Sequence, residues 1–149
     1  MNVSQKCQYA LRAMFDLARS KSQTPAKAAE IADRQAIPIR FLEVILAELR
    51  QGGFVESRRG RDGGHLLARP PAAVTVGEII EFIDGPIGPS ACAQNSSEPD
   101  CPLRQGCVFM PLWRKAHDAV RTVYYGTTFS DLLEEDARRH RPDALDFVI

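Results

Sequence analysis

Three of the four cysteines lie near one another in the sequence, and thiolates are the side chains best suited to soft metals and redox chemistry. Cys92, Cys101 and Cys107 follow the spacing C-x(8)-C-x(5)-C. Structural zinc sites favour closely spaced cysteine pairs, which are absent here. Widely spaced thiolates can surround a bulkier iron–sulfur cluster, whose iron atoms need ligands from several directions. The spacing by itself leaves three readings open: a cluster, a redox disulfide and three unrelated cysteines.

A cluster held by three thiolates needs a further ligand. The candidates are Cys7, Gln8, Asp100, His117 and an exogenous small molecule. Cys7 lies on the apolar stripe of a predicted helix, which favours a role in the core. The position of His117 beyond the cysteine segment favours a surface or interface residue. The fourth ligand therefore stays open.

The cysteines belong to a segment without regular periodicity. Residues 84–106 contain four prolines and three glycines, together with a run of small polar residues. A loop of about twenty residues is uncommon in a small domain and is usually functional or disordered. We therefore expect an irregular loop that holds Cys92 and Cys101 and ends next to Cys107.

The elements before this loop are mostly helical. Apolar residues at helical spacing predict a helix from about residue 3 to residue 20. Thr24 and Pro25 predict the start of a short second helix, and Pro38 opens a third, which Gly52-Gly53 ends. The apolar stripe of the third helix comprises Phe41, Leu42, Ile45, Leu46 and Leu49.

A hairpin follows the third helix. Phe54–Ser57 and His65–Ala68 alternate like strands on either side of a glycine-rich turn. A helix, a short helix, a helix and a hairpin, in that order, form a winged helix-turn-helix, which places its second motif helix in the major groove of DNA. Thr75 and Glu78 form a capping-box pair that opens a fourth helix. We predict a mainly α fold with a small β-hairpin wing.

Two elements are predicted after the cysteine segment. Apolar residues at helical spacing indicate a long helix over residues 108–125. Ser130 is a suitable N-cap for a last short helix.

Charge is distributed unevenly along a chain whose net charge is zero. Residues 34–69 hold seven arginines against four acids, which describes either a binding face or a solvated surface. Three of these arginines, Arg58, Arg59 and Arg61, lie on the thin wing turn and suit a phosphate backbone. Arg59 precedes Gly60 and could enter a narrow minor groove. We favour DNA contact because the helix pair precedes the wing.

The third helix carries two further candidates. Arg40 and Glu43 project away from its apolar stripe, as does Ala47. An arginine can pair with guanine and a glutamate can accept from the cytosine amino group. Both residues can equally be ordinary surface charges, so the sequence does not decide their role.

Several classes of protein are disfavoured. No apolar run approaches the length of a membrane span, and Lys6 and Arg12 interrupt the only stretch that could serve as a signal peptide. We therefore expect a cytoplasmic protein, no membrane partner, and reduced thiols. Paired carboxylates, a nucleophile–base pair and a phosphate loop are lacking, so we do not expect an enzyme.

The chain resembles the Rrf-type winged helix-turn-helix transcription regulators over residues 1 to about 125. This family includes the regulator of iron–sulfur assembly, a nitric-oxide sensor and a rhizobial iron regulator. The similarity is carried by Tyr9-Ala10 with Ala13-Met14, Phe41-Leu42-Glu43 with Leu49-Arg50, Gly53-Phe54-Val55, Arg59-Gly60-x-x-Gly63-Gly64-x-x-Leu67 and Cys101-Pro102-Leu103-x-x-x-Cys107. The cysteine motif is closest to the iron- and nitric-oxide-responsive branch.

The resemblance implies a homodimer that is paired through its long helix and bound to double-stranded DNA at a palindromic operator. It implies a winged helix-turn-helix domain over 1–83, a cluster loop over 84–107, and the dimerisation and C-terminal helices over 108–149. It also implies that Arg59 enters the minor groove and that Arg40 and Glu43 lie at base edges. The predicted DNA-contacting residues are Arg40, Glu43, Ser57, Arg58, Arg59 and Arg61.

The resemblance also implies a [2Fe–2S] or [4Fe–4S] cluster on Cys92, Cys101 and Cys107, labile enough to be lost on purification. Such a regulator, a repressor for example, would sense iron–sulfur status, iron, or nitric oxide and redox stress. The chain departs from the family at the fourth ligand, since Met110 and Gln8 replace a histidine and a carboxylate. The alternative is a cluster-free thiol-redox regulator that uses Cys101 and Cys107.

Overall fold

The computed structural model describes residues 2–20, 22–94 and 101–141. Within these ranges it contains seven α-helices and one antiparallel two-stranded sheet, which confirms the predicted fold class. The elements are α1 (Gln5–Ala18), α2 (Ala28–Gln35), α3 (Ile39–Gln51), β1 (Val55–Arg58), β2 (Gly64–Leu67), α4 (Val76–Asp84), α5 (Ala91–Gln94), α6 (Met110–Tyr125) and α7 (Phe129–Arg139). No helix in the described ranges is long and apolar enough to span a membrane.

The main core lies where α1, α2 and α3 meet. Met14 of α1, Ile31 of α2 and Leu42 of α3 are fully buried there, together with other apolar residues of the three helices. Phe41 is an exception to the predicted stripe, because 63% of it is exposed. At 100° per residue, Phe41 lies at the border of the face that the buried residues of α3 define, so the core does not cover its side chain.

The end of α3 follows the sequence prediction. Gly52 caps the helix and Gly53 adopts a φ of +77°. The N–H of Phe54 donates to the carbonyl of Leu49 at 2.9 Å, and that of Gly53 donates to Arg50 at 3.1 Å. These two hydrogen bonds form a Schellman motif, which turns the chain from the recognition helix directly into the wing.

The predicted start of α2 is wrong. Thr24 is not the N-cap and Pro25 is not the first helical residue, since α2 begins at Ala28 and Lys27 precedes it. Ala26 instead pairs as an isolated β-bridge with His65 of the wing. Because the N–H and the carbonyl of Ala26 are both engaged by His65, the chain stays extended here and the helix begins later.

A buried carboxylate joins the two helices that precede α3. Asp16 of α1 is 5% exposed and accepts from Arg34 Nη2 at 2.8 Å and from Gln35 Nε2 at 3.0 Å. Asp16 also accepts a hydrogen bond from Arg34 Nε at 3.1 Å. Both partners lie in the last turn of α2. The bidentate pair therefore fixes the angle at which α2 crosses α1.

The Asp16→Ala substitution is expected to reduce the free energy of unfolding by about 2 kcal/mol, because it leaves Gln35 and Arg34 without their acceptor. The half-exposed guanidinium of Arg34 can still reach water, which keeps the loss moderate. Urea unfolding followed by circular dichroism measures the effect. Glu135→Ala, which removes two exposed ion pairs on α7, serves as control and should barely move the midpoint. Equal midpoints for both variants would contradict this role.

The C-terminal helix starts differently from the prediction. Thr128, not Ser130, is the N-cap of α7, and it forms a capping box with Asp131. The N–H of Phe129 donates to the carbonyl of Val74 at 3.1 Å, and its side chain is fully buried in the main core. The contact with Val74 and the local capping box of Thr128 and Asp131 together fix the helix start.

The cysteine-bearing segment is more regular than expected. It contains the short helix α5 and a 3-10 turn over Arg104–Gly106, where an irregular loop was predicted. Helix α5 packs against α6, which itself packs against α4. At the α4–α6 contact a Cβ on Gly77 would lie 2.6 Å from the ring of Tyr125, so this glycine permits the close approach.

Candidate DNA interface and cysteine segment

The wing is a tight antiparallel hairpin. Val55 pairs with Leu67 and Arg58 with Gly64, so residues 59–63 form the tip. Gly60 has a φ of +105°, and a Cβ on Gly63 would lie 2.2 Å from the carbonyl oxygen of Arg58. Both positions therefore require glycine, and the tip stays thin enough to approach a groove of DNA.

The base of the wing is attached to the helical core. His65 forms reciprocal backbone hydrogen bonds with Ala26 at 2.7 and 2.9 Å, and a Cβ on Gly64 would lie 2.6 Å from the Ala26 carbonyl oxygen. Nδ1 of His65 lies 3.2 Å from the hydroxyl of Ser57. Burial lowers the pKa of His65, and the nearby charge of Arg50 lowers it further. His65 is thus a neutral structural residue at neutral pH that orients Ser57.

The three wing arginines are exposed and unpaired. In the described part of the chain, Arg58, Arg59 and Arg61 form no ion pair. The basic segment is less uniform than its composition suggests, because Arg34 is bound to Asp16 and Arg69 pairs with Glu78 at 3.2 Å. The wing therefore contributes three of the five arginines of this segment that form no ion pair among the described residues, the other two being Arg40 and Arg50 of α3.

The recognition helix α3 presents a mixed surface. Arg40, Glu43 and Ala47 are exposed, as the sequence predicts. Glu43 also borders a groove between α3 and the wing base, which Ser57 and His65 line from the other side. The fold thus brings two of the predicted contact residues, Glu43 and Ser57, to the same groove. Val44 also faces outward from α3, where 56% of it is exposed, and the sequence analysis did not identify it as a candidate. The sequence feature that could have identified Val44 is an apolar residue on α3 that lies outside the predicted buried stripe.

The cysteines differ sharply in their surroundings. Cys92 on α5 is half-buried with its sulfur 3.3 Å from Ser90 Oγ, Cys101 is exposed, and Cys107 is half-buried before α6. All are free thiols. Among the residues the structure describes, no three histidine, cysteine or acidic side chains converge closely enough to hold a metal ion. The fold supplies the predicted thiols without bringing them together.

Cys7 is a core residue. It is fully buried with Ile80 and Ile87, and burial, reinforced by the charge of Asp84, raises its pKa to about 12. It therefore remains a protonated thiol at neutral pH and is a poor ligand.

The other candidates for a fourth ligand have diverse settings. Gln8 is exposed, and its amide nitrogen donates to the Val3 carbonyl at 3.2 Å. His117 is mostly buried beside Gly88 and contacts Asp118 at 3.1 Å. Asp100 lies outside the described residues.

One face of α6 carries apolar residues that nothing covers within the described ranges. Phe109, Leu112 and Val123 are each more than half exposed, and Ala119 is exposed between them. Leu103 and Val108 extend this exposed row toward the cysteines. Such a contiguous apolar surface is typical of an interaction site.

A helix-turn-helix with an outward-facing second helix and an arginine-tipped wing defines a DNA-binding transcription regulator rather than an enzyme. The chain belongs to the Rrf2 family of iron-dependent transcriptional regulators, whose family model matches residues 3–135.

Individual relatives agree with this family. The regulator IscR of Escherichia coli is 31% identical over 150 residues, covering 97% of this chain and 91% of that protein. The structure of T. potens IscR matches with a TM-score of 0.76 at 29% identity, over 99% of this chain and 97% of that one. The oxidized form of Staphylococcus aureus CymR matches with a TM-score of 0.69 at 32% identity, over 90% of this chain and 97% of that one.

Proposed function

We propose that this regulator is a cytoplasmic homodimer that binds a palindromic operator and senses iron–sulfur status, iron, or nitric oxide and redox stress through a cluster on Cys92, Cys101 and Cys107. The observation that carries the proposal is the contrast between these three accessible free thiols and the fully buried Cys7. Arg40, Glu43, Ser57, Arg58, Arg59 and Arg61 are the proposed DNA contacts.

The chemistry of the donor set fits an iron–sulfur cluster. Thiolates are its usual ligands, and none of the three cysteines is tied into a disulfide. Cys101 is exposed, so its sulfur is accessible to an incoming cluster. When bound, the cluster would supply a redox- and nitric-oxide-reactive group.

Polar contacts join the cysteine segment to the recognition helix. Asp84, at the end of α4, accepts hydrogen bonds from the backbone N–H of Ser4 at 2.8 Å and from its hydroxyl. Ser4 caps α1, and two residues further Lys6 binds Glu48 of α3 at 2.7 Å. A rearrangement that begins at Asp84 therefore reaches α3 through the first turn of α1. This supports a switch in which the state of the cysteine segment biases operator binding.

The uncovered face of α6 supports the dimer. The Leu112→Glu substitution should convert the dimer to a monomer, because two buried carboxylates would meet across a symmetric interface. Light scattering after size exclusion measures the mass. Glu134→Gln, on the exposed side of α7, is the control and should leave the mass unchanged. A Leu112→Glu protein that keeps the mass of the wild type would contradict pairing through this face.

Anaerobic reconstitution with iron and sulfide tests the proposed sensor. We expect a visible absorption band and a difference in operator affinity between the apo and reconstituted proteins. A colourless protein that binds zinc alone, with equal operator affinity before and after treatment, would contradict the proposal.

A second candidate is a cluster-free thiol regulator that uses Cys101 and Cys107. It is favoured by the exposure of Cys101 and by the similarity to a CymR structure solved in an oxidized form. Non-reducing mass spectrometry of peroxide-treated protein distinguishes the candidates. A Cys101–Cys107 disulfide in a protein that never acquires a cluster would favour the second.

A further inference from the structure

The recognition helix carries an unexpected concentration of exposed apolar side chains. Ile39, Phe41 and Val44 lie within its first two turns and are 40%, 63% and 56% exposed. A single exposed apolar residue on a protein surface is ordinary, but several on one short element indicate a contact surface. No element in the described ranges covers them.

The angular positions on α3 select the residues that face outward. Leu42, Ile45, Leu46 and Leu49 are buried and define the inner face. At 100° per residue, the direction opposite to that face is occupied by Arg40, Val44 and Ala47, which follow one another at spacings of four and three residues. Phe41 lies to one side of this line. The outermost ridge of the helix is therefore one guanidinium followed by two methyl-bearing side chains.

The occupant of this ridge is DNA. Arg40 begins the same line, and neither Arg40 nor the wing arginines have ion-pair partners among the described residues, so the charge available on α3 and the wing suits a polyanion. A ridge entering the major groove meets hydrogen-bonding base edges and the thymine 5-methyl group, which alone offers an apolar contact. Val44 and Ala47 carry methyl groups and no polar side-chain atom.

We propose that Val44 and Ala47 read thymine through its 5-methyl group, next to a guanine read by Arg40. Residues 40–47 rise by about 10 Å along the helix, which corresponds to about three base-pair steps. The methyl-dependent thymines should therefore lie within about three base pairs of that guanine in each half-site. This specificity is independent of the cluster, because it depends on the outward face of α3.

Replacement of thymine by deoxyuridine tests the proposal, since it removes the methyl group and keeps every hydrogen-bonding atom. The operator is first selected from random duplexes with the full-length protein, as purified and after reconstitution. Each thymine is then replaced singly at one fixed salt concentration. Wild type should lose about fourfold in affinity at one or two positions per half-site, the value expected for one buried methyl.

The protein side of the test uses two variants. Val44→Ala is exposed and favours a helix, so it should fold normally. It should weaken binding to the thymine operator and reduce the uridine penalty at the Val44 position to less than about 1.5-fold. Arg59→Ala, on the wing, is the matched control: it should weaken binding to both operators equally and keep the full thymine-to-uridine ratio.

Three results would overturn the proposal. The first is a wild-type protein that tolerates uridine at every position. The second is a Val44→Ala protein that retains the complete uridine penalty at every sensitive position. The third is a Val44→Ala protein whose affinity for the thymine operator is unchanged, which would assign the exposed apolar residues of α3 to a protein partner.

Discussion

Cys101→Ser is expected to abolish the visible absorption that anaerobic reconstitution produces in the wild type. Cys101 is exposed, and its sulfur forms no hydrogen bond with the residues that the structure describes, so the variant should fold as the wild type does. A serine hydroxyl is a poor ligand for cluster iron at neutral pH, and two remaining cysteines cannot hold the cluster. Absorption spectra and iron-to-protein ratios, measured under anaerobic conditions, give the result.

Cys7→Ala is the matched control for the cysteine series. The thiol of Cys7 is fully buried and its raised pKa keeps it protonated, so its removal should leave the absorption band in place. The variant opens a small cavity and costs stability, which circular dichroism records separately. Loss of the band in a folded Cys7→Ala protein would assign Cys7 as a ligand and contradict its role in the core. Full absorption in Cys101→Ser would contradict the cluster site itself.

Arg59→Ala is expected to weaken operator binding by about one to two orders of magnitude at low salt, because the proposed dimer would lose two unpaired cations from its wing tips. The plot of log affinity against log salt should become shallower by about two units. Fluorescence anisotropy over a salt series measures both quantities. Unchanged affinity and slope would exclude the wing from DNA binding.

Two further variants separate charge from geometry. Arg59→Lys keeps the cation and should preserve the salt dependence, while losing the planar guanidinium that suits a narrow minor groove. Arg138→Ala removes an arginine of α7 that is already paired with Glu135, and we expect no change in affinity or slope. An equal loss in Arg138→Ala would indicate a general charge effect rather than a contact of the wing.

Local sequence signals correctly predicted those caps and turns whose interacting residues are close to one another in the sequence. The Thr75–Glu78 capping box, the Gly52-Gly53 end of α3 and the glycine-rich wing turn all have the predicted structure, because the atoms they engage lie within a few residues. The predicted start of α2 failed for the opposite reason, because Ala26 is held by His65, which lies far away in sequence. The start of α7 is different: the capping box of Thr128 and Asp131 is a local signal, which the prediction of Ser130 overlooked.

The three clustered cysteines were identifiable from the sequence, as were the arginines of the wing, because spacing and residue type are visible there. Only the tertiary structure decided which similar residues differ in role. It pairs Arg34 and Arg69 with carboxylates and leaves Val44 exposed on the outer line of α3, whereas the core position of Cys7 was already favoured by its place on the apolar stripe of α1. The physical reason is that burial, ion pairing and exposure depend on neighbours brought together by folding, which residue type and spacing do not specify.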